Sequence, residues 1–141
     1  LFKTYKNNII VFDVKDATRL EGDTAPYLQY TYARGCRILE KAGVDVNSLT
    51  EASFNTPEEL GLVKQISNLS WVLNMASETL ALNIIAVYMR HLADVFNSFY
   101  EKCTVITGEG IRMDRLVLVK AFVITMGNAF EIAGIEKLNE V

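Results

Sequence analysis

The chain has 141 residues, half of them hydrophobic and 22% charged, with two prolines and a net charge of −3. That balance fits one compact globular domain able to bury a core without a metal or disulfide, and it excludes overall disorder. It also lacks the strongly basic footprint of a free-standing nucleic-acid binder, so any RNA contact requires a local patch. Cys36 and Cys103 form no disulfide framework and no paired short spacing for structural zinc, and a reduced, cytoplasmic compartment is the expectation. The apolar stretches around Leu80 to Val87 and Leu116 to Met126 are interrupted by Asn83 and Lys120. Neither reaches the roughly 18 uninterrupted residues of a membrane span, so no membrane partner is expected.

The chain opens at Leu1 without a signal or transit pattern and reads as a piece of something larger. Asn8 to Val14, rich in β-branched and aromatic residues, predicts one short strand, which must pair elsewhere or lie as an extended arm. Asp23 or Thr24 then provides an N-cap, with Pro26 in the first turn, and a helix is expected from about Ala25 to Ala42, stopped by Gly43. Residues 44–55 read as a polar loop. Thr56-Pro57-Glu58-Glu59 is a capping box opening a helix that carries Leu60, Val63 and Ile66 inward and breaks near Ser67 to Ser70, before a short piece from Trp71.

Ser77-Glu78-Thr79 reads as the start of a long amphipathic helix with Leu80, Ile84, Val87, Tyr88, Leu92, Val95, Phe96 and Phe99 on its apolar face, ending near Thr104. A turn over Thr107 to Gly110 leads to a last helix from about Arg112, carrying Leu116, Val119, Phe122, Val123, Met126, Phe130 and Ile132 and closed by Gly134. The expected fold is all-α: an antiparallel bundle of four to six helices with a short extended N-terminal arm. Residues 1–22 read as a linker or the tail of a preceding domain, and residues 23–141 as the helical domain.

Nothing in the pattern points to catalysis. His91 is the single histidine, neither cysteine has a histidine near it in sequence, and Gly108-Glu109-Gly110 lacks the lysine and hydroxyl of a phosphate-binding loop. No catalytic or metal-ligating residue is expected. The informative segment runs from Tyr27 to Lys41, where Tyr27, Tyr30, Arg34, Arg37 and Lys41 recur every three or four residues and share one helical stripe. Aromatic faces stack on unpaired bases and guanidinium groups grip phosphates, so the stripe suits loop RNA. The same spacing also fits core tyrosines beside solvated cations, and periodicity leaves both readings open.

Leu20 to Arg34, with its Gly-Asp-Thr-Ala-Pro-Tyr-Leu-Gln-Tyr run, resembles the junction between the catalytic and helical C-terminal domains of arginyl-tRNA synthetases. Leu92 to Tyr100 is similar to that family's long central helix, and Arg115 to Val119 with Gly134-Ile135 resembles its last helix and C-terminus. The resemblance spans the chain and is weaker between residues 44 and 78, where Ser67 to Trp71 replaces a proline common in the family's second helix.

The resemblance implies a helical DALR anticodon-binding domain that holds the anticodon loop of arginine tRNA. It places Gly22, Asp23 and Thr24 near the anticodon, Tyr30 and Arg34 on the first helix at the domain junction, for tRNA binding or domain docking, and Asn97 and Tyr100 in the Asn-Ser-Phe-Tyr segment, with Tyr100 stacking on a loop base; Arg37, on the same helical stripe, is expected to bind tRNA as well. Thr104 and Val141 stand near the same pocket, where the family can use an aromatic residue and a methionine.

The implied partners are arginine tRNA and the catalytic domain of the same parent chain, with no DNA. That parent would use ATP and Mg to load arginine, while this stretch has neither His-Ile-Gly-His nor Lys-Met-Ser-Lys and is expected to bind no cofactor. The alternatives are the helical anticodon-binding domain of another class I synthetase and a helical protein–protein interaction module.

Overall fold

The computed structural model describes residues 24–138, so the expected strand and arm before them lie outside the described residues. Helix α1 spans Thr24–Ala42. Pro26 falls in its first turn, where a missing N–H removes no intrahelical bond. Gly43 ends the helix in the left-handed region at φ +62°, as expected.

The expected capping box opens α2, Pro57–Ser67. The Thr56 hydroxyl accepts from the Glu59 N–H at 3.1 Å, and a Glu59 carboxylate oxygen accepts from the Thr56 N–H at 3.0 Å. Its inward face is rotated from the expected one. Val63 and Ile66 pack against the core half-buried, as expected, but Leu60 is exposed, and Glu59, Leu62 and Gln65 are the buried residues. Polar anchors set this rotation: Glu59 pairs with Arg115, and the Gln65 carbonyl accepts from the buried Tyr88 hydroxyl at 2.7 Å.

Helix α3, Leu69–Thr79, follows across Asn68, at the expected break. Ser77-Glu78-Thr79 ends this helix and does not begin the next. The Thr79 hydroxyl donates to the Met75 carbonyl four residues back, a bond made inside a helix, and Leu80 terminates the helix in the left-handed region at φ 54°. Helix α4 therefore starts at Asn83 and runs to Lys102. It buries Ile85, Tyr88, Met89, Leu92, Ala93, Phe96 and Phe99, while Leu80 and Val87, both expected inside, are exposed.

The expected turn is the tip of a small antiparallel hairpin, β1 Ile106–Thr107 and β2 Gly110–Ile111, with Ile106 opposite Ile111. Gly110 holds φ +143°, a conformation a side chain rarely tolerates. Helix α5, Met113–Ala133, is capped by Gly134 at φ +72°. It is long and apolar enough to cross a membrane by length and composition, yet half of that stretch is buried inside the bundle. A helix apolar around most of its circumference is the natural centre of such a bundle. Ile132 is the exception to its expected face, being half exposed.

Among the described residues the architecture is an all-α bundle of five helices with this one hairpin. Helix α5 packs on α1, α2 and α4, and α4 also contacts α1, α2 and α3. Phe96 and Phe122 stack at 3.8 Å between centroids across the α4–α5 contact, and Tyr32 meets Phe130 at 5.4 Å. Gly35 sets the α1–α5 approach, since a Cβ there would stand 2.8 Å from Val123 Cγ2.

Candidate nucleic-acid interface

Helices α1 and α4 are joined by a polar cluster whose proton pattern is fully determined. Arg34, which has donors and no acceptor, donates from Nη1 to Asn97 Oδ1 at 2.7 Å. The Asn97 amide nitrogen must then face the other way, and it donates to the Tyr27 hydroxyl at 2.9 Å and the Thr31 hydroxyl at 3.1 Å. Tyr27 passes its own proton to Asp94 at 2.7 Å, and Thr31 donates to the Tyr27 carbonyl at 2.9 Å. Burial, followed by the hydrogen bond to Asp94, pushes the Tyr27 phenol above its ordinary pKa.

Above this cluster lies a groove of about 480 Å³. Tyr30, Arg34, Arg37 and Lys41 line it from α1, with Tyr100 from α4 and Thr104 just beyond that helix. The Arg34 guanidinium carbon sits 5.1 Å from the Tyr30 ring centre and 4.3 Å from that of Tyr100, within cation–π range of both. Tyr30 and Tyr100 keep 44% and 43% of their surface exposed, so both rings still present area to a ligand. Among the described residues lining the groove, Glu101 is the one acid, against three cations. A chain of net negative charge thus carries a local cationic and aromatic surface.

The far wall is braced from below. Arg115 pairs with Glu59 at 2.7 Å and donates from Nη1 to the Thr104 carbonyl at 3.0 Å. Burial would raise the Glu59 pKa, but the Thr56 N–H, the Arg115 side chain and the Asn55 N–H outweigh it and lower the pKa to about 2. Sequence reasoning missed this brace. Its signal is a cation in the first turn of α5, where the helix dipole disfavours positive charge unless an acid partner holds it.

Of the residues expected at the site, Tyr30, Arg34, Arg37, Tyr100 and Thr104 come together in the groove, and Asn97 lies beneath Arg34. Thr24 begins α1 and is not among the lining residues. Gly22, Asp23 and Val141 lie outside the described residues. The stripe divides: Tyr27 is tied to α4 through Asp94 and Asn97, with Arg90 4.8 Å above its ring, while its other four members line the groove. Cys36 is half-buried with its thiol pKa raised by burial, and Cys103 is buried, as packed side chains are.

Residues 28–141 match the model of the family described as DALR anticodon binding domain. The chain is 40% identical over 132 residues to an arginine–tRNA ligase of Methanocorpusculum labreanum, covering 93% of this chain and 24% of that protein. It is likewise 40% identical over 140 residues to one of Methanospirillum hungatei, covering 98% and 24%. The chain thus spans about a quarter of the length of these relatives. Among solved structures, one described as an arginyl-tRNA synthetase from Campylobacter jejuni superposes with a TM-score of 0.76 at 27% identity, over 89% of this chain and 29% of that one. Matched by the family model over most of its length, the chain belongs to the DALR anticodon binding domain family.

Proposed function

We propose that the chain is the anticodon-binding domain of an arginyl-tRNA synthetase and that the α1–α4 groove receives the anticodon loop of arginine tRNA. One observation carries the reading: the groove sets the exposed rings of Tyr30 and Tyr100 beside Arg34, Arg37 and Lys41. Unpaired bases of an RNA loop stack on aromatic faces, and guanidinium and ammonium groups neutralise the phosphates between them. Affinity then comes from the cations, and discrimination from the splayed bases. The domain acts by positioning, because holding the anticodon fixes where the distant acceptor end lies.

In the complete protein, a separate catalytic domain activates arginine with ATP and Mg, and this chain supplies tRNA binding. The same reading places the protein in the cytoplasm, where translation occurs. A titration of the chain with the arginine anticodon stem-loop at increasing salt tests it. Affinity that falls steeply with salt supports loop binding through phosphates. Salt-independent affinity, or binding only to the catalytic domain, assigns Tyr30 and Arg34 to protein docking instead.

A further inference from the structure

We infer that Asn97 is a positioning residue for the groove: it touches no RNA and holds the Arg34 guanidinium between Tyr30 and Tyr100. The inference rests on the groove being the RNA site. Both Asn97 amide protons are used inside the bundle, on Tyr27 and Thr31, its oxygen accepts from Arg34, and the residue is not among those lining the groove. The side chain therefore has no donor left for a base or phosphate.

Its orientation is enforced from both ends. Arg34 cannot accept, so Oδ1 must face it. The Tyr27 proton is committed to Asp94 and the Thr31 proton to the Tyr27 carbonyl, so both hydroxyls are left as acceptors for Nδ2. A flipped amide would set a donor against a donor at one end and leave two acceptors facing an acceptor at the other. Thr31 is fully buried, which makes its end of the network costly to rearrange.

Arginine has many rotamers and, on an exposed helix, samples them freely. Here one charged hydrogen bond at 2.7 Å selects the rotamer that lies against the two rings. An RNA loop then meets a preset arrangement of cation and ring faces, and the ordering entropy of Arg34 is met before binding. Asn97 thereby adds to RNA affinity from beneath the surface.

Two readouts on the 141-residue chain test the inference, one with RNA and one without. In a mutant cycle with the arginine anticodon stem-loop, Asn97→Ala weakens binding about fivefold or more, and the same change made in an Arg34→Ala background costs nothing further. Losses that multiply in the double variant, or an unchanged affinity in folded Asn97→Ala, overturn the inference. Without RNA, the Arg34 side-chain N–H resonances show hindered rotation in the wild-type chain and lose it in Asn97→Ala. Hindered rotation that persists in Asn97→Ala also overturns it.

Where the alanine variant unfolds, the wild-type chain supplies the readout: with the stem-loop bound, the Asn97 side-chain amide protons keep their bonds to Tyr27 and Thr31 and show no contact with RNA protons. A direct contact between the Asn97 amide and the RNA contradicts the assignment. A wild-type chain that binds no stem-loop while its Arg34 is released by Asn97→Ala refutes the groove as the RNA site and leaves Asn97 as an anchor of Arg34 alone, which contradicts a role in RNA binding.

Discussion

The guanidinium carbon of Arg34 stands 4.3 Å from the centre of the Tyr100 ring, joining a residue of the first helix to one near the end of the long helix α4. This contact makes the two helices one surface. The cation enriches the ring's electrostatic environment, and Tyr100 keeps enough exposed area to receive a base.

Tyr100→Ala removes that platform. Its expected effect is a loss of about 1–3 kcal/mol in stem-loop affinity, the range for one base–aromatic stack. Circular dichroism establishes that the variant keeps its helicity, and titration then reads the loss. Wild-type affinity in the folded variant contradicts the stacking role.

Arg37 and Lys41 extend the cationic wall beyond Arg34. Each one that contacts a phosphate contributes about 0.7 to the slope of log affinity against log salt for a single strand. Arg37→Ala should flatten the slope by that amount and weaken all loops alike. A change confined to one loop sequence would mean that Arg37 reads a base.

The Glu59–Arg115 pair gives the fold an acid limit. Glu59 titrates at about 2 in the folded chain, against an ordinary value of 4.5. Because the folded pKa is the lower one, the stability contributed by Glu59 is complete above pH 4.5 and is lost as pH falls toward 2. Urea denaturation at pH 7 and pH 3 checks this: Glu59→Gln should destabilise more at pH 7. Arg115→Met removes the cation while the Thr56 and Asn55 N–H groups still hold the carboxylate, and should cost about 1–3 kcal/mol at pH 7. Equal effects of Glu59→Gln at both pH values contradict the pairing.

Gly35→Ala tests the close approach of α1 to α5. Alanine gains about 1 kcal/mol in helix propensity, but its Cβ would stand 2.8 Å from Val123 Cγ2 and 3.3 Å from the Phe122 ring. Overpacking of this kind costs about 1–3 kcal/mol, so the expected outcome is a lower melting temperature, recovered when Val123→Ala is added. A melting temperature above wild type would show that the helices separate freely.

Local chemistry made much of this fold legible. The Thr56–Glu59 capping box, the Gly43 and Gly134 stops and the 27–41 stripe each encode their structure within a few residues. Errors arose where partners far along the chain decide. The inward face of α2 is set by Arg115 and Tyr88, at 56 and 23 residues' separation, and no local periodicity carries that information. One miss is local: Ser77 to Thr79 has the composition of a helix start, but the preceding helix runs through it and ends where Leu80 takes the left-handed conformation at φ 54°. At the site, helical spacing aligned Tyr30, Arg34, Arg37 and Lys41. It did not reveal that Asn97, 63 residues beyond Arg34, would draw that stripe against Tyr100.

The most direct test of the central claim is a competition between two anticodon stem-loops for the 141-residue chain at low salt, one from arginine tRNA and one with its middle anticodon base altered. The groove reading predicts tighter binding of the arginine loop, with the preference reduced in Tyr100→Ala. Equal affinity for both loops, unchanged in Tyr100→Ala, would contradict anticodon recognition by this groove.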